Sequence, residues 1–175
     1  MRKVLVKWLL QVSRKFQVKD ETMQMCVQII DYLLMFQSSL ITKQNFQLLG
    51  VAALFVACKY NEIHTFEAEK YIFLCDGLYS TAQLFEMESL ILTTTNFNLQ
   101  FPTLHQFTSL LLSHYNLELE STVSDLIKLS MFDCLLLNRF KKQHLSAVIL
   151  YFAAKIKESC NLKSKEIITE LGVPE

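Results

Sequence analysis

Leu48-Leu49-Gly50-Val51-Ala52-Ala53-Leu54-Phe55-Val56-Ala57-Cys58-Lys59 is an unbroken apolar run closed by a lysine. It is too rich in small residues to face water, and a helix apolar on all sides belongs in the middle of a domain. Lys59, followed by Tyr60-Asn61-Glu62-Ile63, puts a cation where that core meets the surface. A charge so placed needs a partner, and Met87-Glu88 in the next long amphipathic segment offers a carboxylate. Two expectations follow: a central buried helix, and a Lys59–Glu88 pair on which function turns.

The flanking segments are helical in period nearly throughout, and none shows the alternation of a strand. A first helix is expected over Met1–Phe16 and a second, capped by Asp20-Glu21-Thr22, up to Phe36. The buried helix runs from about Lys43 to Tyr60, and a short one from Phe66 to Cys75 is closed by Asp76-Gly77. Ser80 caps a fifth from Thr81 to Thr94. Asn96 to Pro102 reads as an extended linker, since proline disfavours helix in the residue before it. Thr103 then caps a helix to Tyr115, followed by a long one over Glu120–Asn138, a buried one over His144–Glu158 and a short one from Ser164 to near Gly172.

The halves also echo each other. Leu49 to Lys59 aligns with Leu145-Ser146-Ala147-Val148-Ile149-Leu150-Tyr151-Phe152-Ala153-Ala154-Lys155, and Ile30-Asp31-Tyr32-Leu33-Leu34 with Phe132-Asp133-Cys134-Leu135-Leu136. Such a long-period repeat predicts tandem copies of one helical unit, the second cut short. The expected fold class is all-α, with boundaries at 1–97, a linker at 98–102 and a second unit at 103–175.

Composition narrows the function. The 175 residues carry seventeen basic and seventeen acidic groups, so no general attraction to nucleic acid or acidic membranes is expected. Three Gly and two Pro leave little turn chemistry for a many-stranded sheet. The apolar run is shorter than the ~18 residues that a membrane span needs. Met1-Arg2-Lys3 leads straight into a helix carrying Trp8 rather than into a leader, so a soluble intracellular protein is expected. Cys26, Cys58, Cys75, Cys134 and Cys160 are scattered and odd in number, which predicts reduced, buried thiols. With His64, His105, His114 and His144 isolated from one another, no metal site and no cofactor is expected.

Together these features resemble the cyclin family, over nearly the whole chain. Met1-Arg2-Lys3-Val4-Leu5-Val6-Lys7-Trp8-Leu9 is similar to the opening of the first cyclin box in A-, B- and D-type cell-cycle members. Leu48 through Ile63 resembles the box's central helix and exit, and Tyr71 to Ser80, Met87-Glu88 and Asn96-Phe97-Asn98-Leu99 resemble the stretch into its last helix. The five hallmark positions fall on Arg2, Asp31, Leu48, Lys59 and Glu88.

The resemblance implies a two-box helical fold and a non-catalytic partner of a cyclin-dependent kinase. Such a partner grips the kinase's regulatory helix, completes its Lys–Glu pair and frees its activation loop. Lys59, Tyr60, Glu62 and Glu88 would face the kinase, and Arg2 with Asp31 would be a structural ion pair. Met1, Val4, Leu5 and Trp8 form one stripe by helical spacing. The resemblance makes that stripe, with Gln11, Phe46 and Gln47, a groove for Arg-x-Leu peptides of substrates and inhibitors. Gln11 stands where some relatives have glutamate. The helix that precedes the box in the family has no counterpart before Met1, and the second box is expected to be incomplete. Residence in the nucleus and cytoplasm is implied by the family alone. A cyclin-fold adaptor of transcription complexes or nucleic acid is the alternative, but it needs a basic face to neutralise phosphates. An all-helical enzyme would need a nucleophile–base or metal constellation, which no spacing here supplies.

Overall fold

The computed structural model describes residues 1–115 and 117–157, and the described residues are helical without a strand. One compact unit, Met1–Phe101, holds α1 (Arg2–Lys15), α2 (Asp20–Phe36), α3 (Phe46–Asn61), α4 (Ala68–Phe73) and α5 (Thr81–Thr94). A second, from Pro102 onward, holds α6 (Leu104–Tyr115), α7 (Glu120–Ser130), α8 (Cys134–Arg139) and α9 (Lys142–Ile156).

In the first unit α3 is the hub, packed on α1, α2, α4 and α5. Every residue from Leu48 to Cys58 is buried. Small side chains make this crowding feasible, because they let four helices approach one axis. Gly50 shows how close: a Cβ built there would lie 2.7 Å from Leu5 Cδ1, so the missing methyl is what seats α1 on α3. Ala53 and Ala57 are fully enclosed. Ala53→Phe should overpack this centre and cost about 1–3 kcal/mol. In a thermal melt that corresponds to a drop of roughly 4–8 °C per kcal/mol for a domain of this size, and a parent-like midpoint would contradict the hub arrangement. In the second unit α9 takes the same place against α6 and α7, burying Leu145, Ser146, Ala147, Ile149, Leu150, Ala153 and Ala154.

The caps follow local chemistry. Ser80 and Gln83 form a reciprocal capping box at the start of α5. Thr103 and Gln106 exchange the same pair of bonds at α6, each 3.3 Å.

Four local expectations are corrected. The Glu120–Asn138 helix is two helices, because Asp133 accepts hydrogen bonds from the Leu135 and Leu136 amides and starts α8 afresh. The Asp133 echo of Asp31 is thus a cap, whereas Asp31 itself lies buried inside α2. Asn96 and Phe97 are left-handed rather than extended, with φ of 51° and 58°, and the Phe97 amide closes α5 onto the Leu92 carbonyl. Leu99 is then buried, and the Phe101 ring sits 5.9 Å from Tyr32, so this stretch packs on the first unit. The short helix covers only Ala68–Phe73, and α2 begins after Lys19, whose side chain makes no cap bond. The expected helix over 164–172 and Cys160 lie outside the described residues.

Candidate functional site

The two ends of the first unit are organised by charge. At one, Arg2 grips Asp31 from Nε to Oδ1 at 2.5 Å and from Nη2 to Oδ2 at 2.7 Å. The side chains are only 13% and 8% exposed. This two-pronged geometry is the strong form of a carboxylate–guanidinium contact, and it ties α1 to α2.

At the other, Lys59 Nζ is ion-paired with Glu88 Oε1, joining the end of α3 to the middle of α5. Lys59 is 42% exposed and Glu88 13%. The ammonium also lies 4.2 Å from the centre of the Phe55 ring, a cation–π contact that holds the stem in place. An ammonium has three donors and a carboxylate several acceptor positions, so the pair keeps capacity for further bonds at one spot. Tyr60, half exposed, stands beside it.

Sequence reasoning missed three exposed apolar residues of this unit, of which Phe85 lies at this edge. Ile63 is 86% exposed, and Phe85 is half exposed with its ring 6.3 Å from that of Phe55. Phe97 is 71% exposed in a backbone conformation that bulky residues rarely adopt. Phe85 was findable, since it precedes Glu88 by three residues and shares its helix face. The left-handed turn that presents Phe97 has no sequence signal of its own, because neither Asn96 nor Phe97 is glycine.

Glu62 has a separate task. Its Oε1 accepts from the Lys19 amide at 3.0 Å and the Thr22 hydroxyl at 2.6 Å, and its Oε2 lies 3.7 Å from Lys19 Nζ. It therefore holds the start of α2 from the exit of α3, through Lys19 and Thr22. Its carboxylate thereby fixes the segment beside Tyr60.

Along α1, Met1, Val4, Leu5 and Trp8 meet Phe46 and Gln47 of α3 around an open groove of about 480 Å³. Val4 and Met1 are 72% and 62% exposed, while Leu5 is buried against Gly50 as the floor. Lys43 completes the lining. Gln11 does not: it is exposed on the neighbouring flank of α1, one turn beyond Trp8. Lys43 lies before the start of α3 because Asn45 closes the preceding loop, accepting from the Thr42 amide and donating to the Leu40 carbonyl. A reading that placed Lys43 inside α3 could not put it on the groove's rim.

The three buried thiols of the first unit are held in their protonated form. Burial pushes the Cys58 thiol up to about 11, with the Tyr71 hydroxyl partly offsetting this and Glu62 adding to it. Burial also raises Cys75 to about 11 and Cys26 well above its usual value. None of these is a thiolate nucleophile near neutral pH. Cys134 is only partly buried, unlike the others described. Among the described residues no group of His, Cys, Asp and Glu is placed to hold a metal ion, and no helix is long and apolar enough to cross a membrane.

Residues 1–100 match the family described as "Cyclin, N-terminal domain". The chain is 33% identical over 155 residues to Cyclin-B2-2 of Arabidopsis thaliana, covering 87% of this chain and 35% of that protein. It is 40% identical over 102 residues to the G2/mitotic-specific cyclin-B2 of Homo sapiens, covering 58% of this chain and 25% of that one. It thus spans about a quarter to a third of the length of these curated relatives. A viral cyclin from herpesvirus saimiri, at 16% identity, superposes with a TM-score of 0.84 over 97% of this chain and 76% of its own. The all-helical architecture is therefore the cyclin fold, and the chain belongs to the cyclin family.

Proposed function

We propose that this protein is a regulatory subunit that binds and activates a cyclin-dependent kinase in cell-cycle control and contributes no catalytic group. The observation that carries the reading is the Lys59–Glu88 edge: a donor and an acceptor held together between α3 and α5, with half-exposed Phe85 beside them through the Phe55 ring and exposed Tyr60 and Ile63 following Lys59 in the chain. A partner backbone segment offers the complementary carbonyls and amides, and an apolar helix face covers the aromatic and aliphatic side chains. Arg2 and Asp31 are structural in this reading, and Glu62 positions the exit of α3. Binding activates only through greater affinity for the kinase's active conformation.

The groove on α1 recruits substrates or inhibitors. Its apolar lining suits the leucine of an Arg-x-Leu-type motif, though it offers no carboxylate to the arginine. Neither nucleic acid nor membrane is a partner in this reading, and the complex acts in the nucleus and cytoplasm. The test is to titrate purified cyclin-dependent kinases with this chain and follow histone phosphorylation. A saturable rise in rate with at least one kinase, at a stoichiometry near one to one, is expected. Absence of both binding and activation across the kinases would sink the reading.

A further inference from the structure

The groove is apolar within and basic at its borders. Residues 1–19 contain six basic side chains and no acidic one, and no acidic residue occurs between Asp31 and Glu62. All the lining residues come from these two stretches, and Asp31 is already held by Arg2. Lys43 is exposed on the groove's own rim. On α1, Lys7 is also exposed and lies three residues after Val4, about 60° further round the helix. Lys3 continues the same flank one turn earlier, and neutral Gln11 one turn later. No acidic residue is among those lining the groove, and Asp76 stands three residues before Tyr79, whose hydroxyl donates to the Gln44 carbonyl. Asp76 lines no part of the groove.

An arginine next to an anchored leucine would therefore meet like charge on both borders. We infer that this groove takes peptide segments with an apolar anchor preceded by an acidic or phosphorylated residue, in preference to a basic one. The inference rests on the docking role given to the groove above and specifies the chemistry of its ligand. Nucleic acid fits less well: Met1, Val4, Leu5, Trp8 and Phe46 give a cleft in which most of the contact area is apolar, and the whole chain has no net charge.

The experiment uses fluorescein-labelled decapeptides that share a Leu-x-Leu core. They differ only two positions before the first leucine, where they carry phosphoserine, Asp, Ala or Arg. Anisotropy titrations of the full chain should rank them in that order, with Asp about tenfold tighter than Arg, as expected when exposed pairs change from repulsive to attractive. The gap should narrow between about 0.05 and 0.5 M salt as screening shortens the reach of the lysines. The K7E/K43E variant alters two exposed side chains, so it should fold normally by circular dichroism and reverse the order. Trp8→Ala should weaken all four peptides together. Tightest binding by Arg, equal binding by all four, or no effect of Trp8→Ala would overturn the inference. So would a labelled duplex oligonucleotide that binds as tightly as the Asp peptide, which would assign the surface to nucleic acid. Kinase activation is measured on the same samples. Loss of the peptide order with activation intact removes this inference alone, and the order without activation removes the kinase reading alone.

Discussion

Asp31→Ala is expected to destabilise the protein by about 3–5 kcal/mol, the usual cost of stranding one partner of a buried ion pair. Arg2 would keep its charge and lose the carboxylate that both prongs grip, in a site where its side chain is 13% exposed. The cost arises from the charge left behind more than from the bond removed, so the pairing partner matters. Arg2→Met combined with Asp31→Leu removes both charges and should recover much of the loss, because apolar replacement of such pairs is often neutral. Chemical denaturation of the two single variants and the double checks this. Equal losses for the single and double variants would mean that packing between α1 and α2, rather than charge, carries the effect.

The second large effect is on binding. K59A/E88A should leave helicity and melting nearly unchanged. Lys59 is substantially exposed and the two charges leave together, so neither is stranded. Kinase affinity should nevertheless fall by about 2–5 kcal/mol, the range seen when charged interface contacts are truncated. Lys59→Ala alone is the informative control. It leaves Glu88, 13% exposed, without its ammonium partner, so it should melt lower than the double variant while binding as poorly. Calorimetric affinity and histone phosphorylation for the parent and these variants provide the readout. A folded double variant with parental affinity would remove the edge from the proposed interface.

Much of this was legible in the sequence. The apolar run announced α3, and its terminal lysine announced a partner, because helical period and burial are local properties. The Ser80 and Thr103 starts were legible for the same reason: each cap is completed within three residues. The stripe of Met1, Val4, Leu5 and Trp8 followed from spacing on one helix, whereas a groove beside it was implied by the family resemblance alone. What could not be read depends on groups distant in sequence. Glu62 holds the start of a helix that begins some forty residues earlier, and no periodicity links it to Lys19 and Thr22. Lys43 joins the groove's lining through the closure of the Asn45 loop, which helical spacing along α1 does not reveal. The break before α8 was signalled by Asp133, but the apolar pattern runs through it and masks the cap.

The tie between Glu62 and the start of α2 has a consequence for how the first unit breathes. The Lys19 amide and the Thr22 hydroxyl both donate to the Glu62 carboxylate, so the order of this helix start is coupled to the exit of α3. Fraying at Glu62 and fraying at Lys19 are then a single event, a small cooperative unit inside the larger one. The same event loosens the backbone on which Tyr60 is carried. A partner that clamps this edge would therefore quiet a helix start it never touches.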